Sequence, residues 1–201
     1  MIAIIDYDAG NIRSVWKACE ALGKETIVTD QPEKILDADH VILPGVGAFG
    51  DCISHLEQRK LIPVIDQIKE RGIPFLGICL GLQLLFDDSQ ESPGARGLGL
   101  LNGHIVRFPE SDQIKVPHMG WNQISFPREG RLFKGISDGS YVYFVHSYYL
   151  KADDPSIVTA RCSYGLDFDA SVESGNIFAC QFHPEKSGSN GLRILNNFLE
   201  I

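Results

Sequence analysis

Positive charge is scarce in this 201-residue chain: 18 Lys and Arg against 26 Asp and Glu leave a formal charge of -8. A protein that grips phosphate backbones or anionic lipid presents a basic stripe, so neither nucleic acid nor a membrane surface is expected as a partner. No apolar run approaches the roughly 20 residues that span a bilayer. The start, Met1-Ile2-Ala3-Ile4-Ile5-Asp6, carries no basic leader, and the expectation is a cytoplasmic protein. Cys19, Cys52, Cys79, Cys162 and Cys180 form an odd set without close pairing, which suits a reducing compartment and leaves at least one thiol free for chemistry. Repeats, low-complexity tracts and Gly/Ser linkers are also missing, so residues 1–201 read as a single domain.

What is present is a packable core, with 44% hydrophobic and 22% charged residues. Ile2 to Ile5 is a short β-branched run, followed by the turn-rich Asp8-Ala9-Gly10-Asn11 and by apolar positions Ile12, Val15, Trp16, Cys19 and Leu22 at helical spacing. Strands are expected at Thr26 to Thr29 and at His40 to Leu43, the second running into Pro44-Gly45-Val46-Gly47. Residues 49–71 read as helical with a break near Pro63, Ile73 to Ile78 as a buried strand ending at Cys79, and Leu82 to Phe86 as an apolar helix. Beyond residue 88 the texture becomes β-rich, with strands expected at Asn122 to Phe126, Tyr141 to Tyr149 and Ile177 to Phe182 before a helix over 191–201. The fold class is therefore α/β: a mostly parallel open sheet flanked by helices, with a β-rich second half.

Three local patterns carry chemistry. Gly77-Ile78-Cys79-Leu80-Gly81, where a buried strand meets a helix, has the layout of a nucleophile elbow with sulfur in place of oxygen. Small neighbours permit the tight turn, and the helix aims free N–H groups and its positive end at the sulfur, favouring thiolate. An arbitrary cysteine is more often inert core; the strand-elbow-helix context shifts the odds toward a nucleophile. A thiolate in acyl chemistry needs a base and an orienting partner, and His183-Pro184-Glu185 offers both at a strand end. Taken alone His-x-Glu is weak and equally suits metal ligation; neither metal nor cofactor is expected. Pro44 to Gly47 sits at the strand edge where open α/β sheets bind ligands. Its backbone N–H groups, with that of Leu80, suit an oxyanion hole, although an ordinary strand-to-helix turn fits the four residues as well.

Taken together, the elbow, the Pro44 to Gly47 loop and His183-Pro184-Glu185 resemble the class I glutamine amidotransferases in order and spacing. Asp6-Tyr7, Gly10-Asn11, Pro44 to Phe49, Gly77 to Phe86, Pro117-His118-Met119-Gly120-Trp121-Asn122 and His183 to Ser187 look like one branch of that family, the glutaminase subunits of imidazole glycerol phosphate synthases. The resemblance spans essentially the whole chain, and the Pro117 to Asn122 run is its specific part. It implies an enzyme of histidine biosynthesis in a heterodimer with a (β/α)₈-barrel cyclase, taking L-glutamine as substrate. Cys79 would be nucleophile, His183 general base and acid, and Glu185 its orienter. Val46, Gly47 and Leu80 would supply oxyanion or substrate contacts, and Gln83, His146, Ser147 and Tyr148 would lie near the bound glutamine. Pro117, His118, Met119, Gly120, Trp121 and Lys186 would face the cyclase. Three have ordinary alternatives: Trp121 as core, Lys186 as a solvated charge, Gln83 as helix decoration.

Two positions depart from the family pattern: Asp8 stands where Gly is usual, a turn that Asp tolerates, and Gly188 where a polar amide is usual. A sister glutaminase serving anthranilate, aminodeoxychorismate, guanylate or pyridoxal phosphate synthesis remains an alternative, as does a non-catalytic binding protein of the same fold. The glycines at 45 and 47 also make a rearrangement of the loop a plausible switch that keeps hydrolysis low until the cyclase is filled.

Overall fold

The computed structural model describes residues 1–8, 11–110 and 114–201. Of the turn expected at Asp8 to Asn11, Ala9 and Gly10 lie outside the described residues; Asp8 has φ 63 and its carboxylate pairs with Arg59, a left-handed position that a short polar side chain adopts readily.

The first half alternates strands and helices: β1 (Ile2–Ile5), α1 (Ile12–Ala21), β2 (Thr26–Thr29), α2 (Pro32–Leu36), β3 (His40–Gly45), α3 (Phe49–Gln58), α4 (Ile62–Arg71), β4 (Phe75–Cys79) and α5 (Leu80–Leu84). The second half is mainly strands: β5 (Asp88–Ser89), β6 (Gly103–Arg107), β7 (His118–Ser125), β8 (Ser140–His146), β9 (Tyr148–Ala152), β10 (Val158–Ser163), β11 (Asp167–Ser174) and β12 (Ile177–Cys180), closed by α6 (Gly188–Leu199). The helical stretch over 49–71 is two helices. The interruption falls before Pro63 and contains Lys60 at φ 57, while Pro63 itself sits in the first turn of α4, where its missing N–H costs nothing.

All strands join one sheet, whose main path runs β2-β1-β3-β4-β12-β11-β10-β7-β8. The strands from β2 to β12 are parallel; β11, β10, β7 and β8 continue antiparallel. The parallel run β2-β1-β3-β4-β12 is the central sheet flanked by helices that the patterning predicts, and the antiparallel strands are its β-rich second half. Apolar alternation splits the core across the sheet: Ala3 and Ile5 of β1 pack with α3 and α4, and Ile2 and Ile4 pack with α1 and α6. Helices on both faces explain why β4 is buried at every position.

Helix α5 ends two residues before the apolar run Leu82 to Phe86 does. The carbonyls of Leu84, Leu85 and Phe86 accept N–H groups from Leu98, Gly99, Leu100 and Leu101, so a returning loop takes the acceptors that further helical turns would use. Among the described residues no helix is long and apolar enough to cross a membrane.

Candidate active site

The elbow forms at the β4–α5 junction, where Cys79 has φ 56 and ψ -109. A non-glycine residue at positive φ is strained, and such strain concentrates where function fixes the backbone. Its flanking glycines are needed for space. A Cβ on Gly77 would stand 2.6 Å from the Gly81 carbonyl oxygen, and one on Gly81 would overlap the Leu43 carbonyl. Gly45 obeys the same constraint, since its Cβ would approach the Gly81 nitrogen to 2.8 Å and the Leu80 Cβ to 2.9 Å. The loop after β3 is thereby laid directly against the elbow, and Tyr7 Oη holds it by donating to the Pro44 carbonyl at 2.7 Å.

His183 arrives from the opposite end of the sequence. Strand β12 pairs in parallel with β4, Cys180 opposite Ile78, so the residues just past both strand ends emerge side by side. A 3₁₀ turn over Pro184–Lys186 folds Glu185 back, and its Oε1 lies 2.8 Å from His183 Nδ1 with both side chains shielded from solvent. Ser187 secures the turn: its hydroxyl donates to the His183 carbonyl at 2.6 Å and accepts from the Tyr143 N–H at 2.9 Å.

A pocket of about 340 Å³ opens over this junction, lined by Val46, Gly47, Cys79, Leu80, Gln83, His146, Ser147, Tyr148 and His183, with Glu91, Pro117 and Val145 completing the wall. Every residue that the sequence placed near an oxyanion or substrate therefore surrounds one cavity, with Glu185 directly behind His183. Burial opposes a charge on His183, but Cys79 and Glu185 outweigh it and raise its pKa to about 9. His183 Nε2 has no geometrically aligned hydrogen-bond partner, although it shares the pocket with Cys79; catalytic hydrogen bonds commonly align only once substrate is bound. The sulfur has two long polar contacts, 3.9 Å to the Val145 carbonyl and 3.7 Å from Gln181 Nε2. The remaining cysteines are buried and line no part of this pocket; burial pushes the Cys52 thiol up to about 11 and those of Cys19 and Cys162 up to about 12.

The six residues predicted to face a partner divide. Met119 and Trp121 are 62% and 55% exposed, Pro117 and Lys186 are exposed, Gly120 is half-buried, and His118 turns inward at 3% exposure. Gly188 adopts φ 60 and lies under Trp121. Two polar groups of the site escape the sequence reading, Gln181 buried behind the sulfur and Glu91 on the pocket wall. Gln181 receives Gln83 Nε2 on its Oε1 at 3.0 Å; its signal was a polar residue two positions before His183 in an otherwise apolar run. Glu91 accepts the Phe49 N–H at 2.8 Å and so ties the pocket wall to the start of α3; nothing local marks it. Among the described residues no group of three or more His, Cys, Asp or Glu is set to hold a metal.

A nucleophile elbow, a strand-end histidine backed by a carboxylate and a glycine loop over one cavity define an amidotransferase-like hydrolase site, and residues 3–201 match the family described as Glutamine amidotransferase class-I. The chain belongs to that family. Within it, the chain is 54% identical over 200 residues to the imidazole glycerol phosphate synthase subunit HisH of Moorella thermoacetica, covering 100% of this chain and 94% of that protein. It is 52% identical over 202 residues to the protein of the same name from Methanosarcina acetivorans, covering 100% and 98%. Among solved structures, one described as a glutamine amidotransferase superimposes with a TM-score of 0.77 at 20% identity, covering 100% of this chain and 98% of the other. PurLQS from Thermotoga maritima superimposes with 0.74 at 23% identity, covering 99% and 97%; at these identities the likeness concerns the fold.

Proposed function

We propose that this chain is the cytoplasmic glutaminase subunit of an imidazole glycerol phosphate synthase, a single domain over residues 1–201 that releases ammonia from L-glutamine. The ammonia goes to a (β/α)₈-barrel cyclase partner forming imidazole glycerol phosphate and aminoimidazole carboxamide ribotide. The observation that carries the reading is the β4–β12 pairing, which sets a strained cysteine and a carboxylate-backed histidine on one pocket. The names of relatives about half identical over their whole length support the choice of synthase.

The Cys79 sulfur, as thiolate with its proton held by His183, attacks the side-chain amide carbon of glutamine, and the carbonyl oxygen takes up negative charge within reach of the Val46, Gly47 and Leu80 backbone. Protonated His183 delivers its proton to the departing nitrogen as the C–N bond breaks, leaving ammonia and a glutamyl thioester. His183, now neutral, removes a proton from water as it attacks the thioester carbon; the C–S bond breaks and glutamate leaves. Glu185 holds the ring orientation through both steps. Gln83, Ser147 and Tyr148 offer polar contacts for the amino-acid end of the substrate, and the Glu91 carboxylate matches its α-ammonium group. Met119, Trp121, Pro117 and Lys186 form the face for the cyclase, and the loop at Gly45 and Gly47 is the element whose rearrangement would gate hydrolysis.

The test is to mix the chain with the cyclase and supply glutamine in place of ammonium. Product formation that depends on Cys79 is expected; product from ammonium alone, with none from glutamine, would reject the reading.

A further inference from the structure

A second continuous line of polar groups runs from the pocket to strand β7. It begins at the sulfur, to which Gln181 Nε2 donates at 3.7 Å. Gln83 Nε2 donates to Gln181 Oε1 at 3.0 Å and to the Tyr148 carbonyl at 3.1 Å. The same carbonyl lies 2.8 Å from His146 Nδ1; His146 Nε2 lies 3.0 Å from His118 Nδ1; and His118 Nε2 lies 3.2 Å from Asn122 Nδ2. Asn122 is itself fixed, its amide nitrogen donating to the Ser163 carbonyl at 3.0 Å and its oxygen accepting from the Gln123 N–H at 2.8 Å.

The carbonyl end dictates every proton in this line. Tyr148 O only accepts, so His146 Nδ1 carries the hydrogen and Nε2 of the neutral ring is an acceptor. His118 must then donate from Nδ1, which leaves its Nε2 to accept from Asn122. A proton added to either ring would bring two N–H groups face to face. Burial acts in the same sense, lowering His146 to about 3 and His118 to about 4.

Strand β7 carries this line outward. Its ladder pairs His118 with His146, and exposed Met119 with Val145, whose carbonyl contacts the Cys79 sulfur. We propose that His118 is a positioning residue for glutamine hydrolysis: its one-way hydrogen bond to His146 holds the Tyr148 carbonyl, and through it the Gln83–Gln181 bridge beside Cys79, tying the nucleophile to the outward face of β7. The proposal rests on the glutaminase reading for its activity measurement only.

Packing offers a rival role, because His118 stacks on Phe144 and Tyr164 with centroids 4.8 Å and 4.0 Å apart. Two variants separate the roles. His118→Phe keeps the ring and loses both nitrogens; His118→Asn loses the ring and keeps an amide N–H bonded to Cγ, as Nδ1 is. Turnover is measured with the cyclase present, per Cys79 titrated by a glutamine-like electrophile, so that misfolded chains are not counted. The relay requires His118→Phe to lose about tenfold in turnover while His118→Asn, though less heat-stable, stays within about threefold of the parent. Any other order, including equal losses, overturns it. Nitrogen-15 NMR of the chain alone at neutral pH should show both rings as neutral Nδ1–H tautomers, and an Nε2–H or doubly protonated ring at either position overturns it as well. A parent complex that hydrolyses no glutamine would defeat the glutaminase reading, while the spectra would still decide the relay.

Discussion

The two sides of the pocket treat the same side chain in opposite ways. His183 and His146 are both buried, yet His183 is raised to about 9 and His146 is lowered to about 3. Burial disfavours the charge on each. The difference lies in the partners, a carboxylate and a sulfur for His183 against a carbonyl and a second neutral imidazole for His146. One side is thus equipped to hold and move a proton. The other is equipped to keep one in place, so burial alone does not decide what a histidine does.

The largest test of this contrast removes the sulfur: Cys79→Ala is expected to lower glutamine turnover by about 10⁴-fold or more with the fold retained, read by glutamate release. Next, Glu185→Gln replaces the carboxylate by a neutral amide and makes the two sides alike; a loss of about 10²- to 10⁴-fold is expected, and full activity would erase the distinction. Smaller effects appear in stability against pH. His183 binds its proton more tightly folded than unfolded, so its contribution is complete below about pH 6.5 and is lost as pH rises through about 9. His118 and His146 resist protonation when folded, so their contribution is present above about pH 6.5 and falls away toward pH 4 and 3. Denaturant titrations from pH 4 to 9 should show Glu185→Gln flattening the alkaline limb and His118→Asn the acid limb. Smallest of all, Trp121→Ala should change the stability of the chain alone by about 0.5 kcal/mol or less while weakening retention of the cyclase in a pull-down.

Legibility in the sequence follows the range of the interactions. The elbow is local, since two glycines around Cys79 are demanded by contacts within a few residues and by one neighbouring strand, and the strand-to-helix switch is visible in the apolar pattern. His183 and Glu185 are likewise two residues apart, and their turn is announced by Pro184. Helix α2, a single short turn between β2 and β3, left too little periodicity to detect. The His118–His146 pair depends on the β7–β8 register, and Glu91 reaches the pocket only because its carboxylate caps a distant helix; neither leaves a trace in spacing. The inward turn of His118 next to outward Met119 is the plain alternation of a strand, which composition alone does not phase.

The order of strands also bears on when this protein acquires its chemistry. Because β12 is inserted between β4 and β11, the imidazole and its carboxylate reach the elbow only when a strand distant in sequence has been built into the middle of the sheet. Until then the sheet has a gap beside the elbow, and the cysteine has no proton donor for a leaving amine. Cutting the chain before β12 is therefore expected to abolish ammonia release from glutamine.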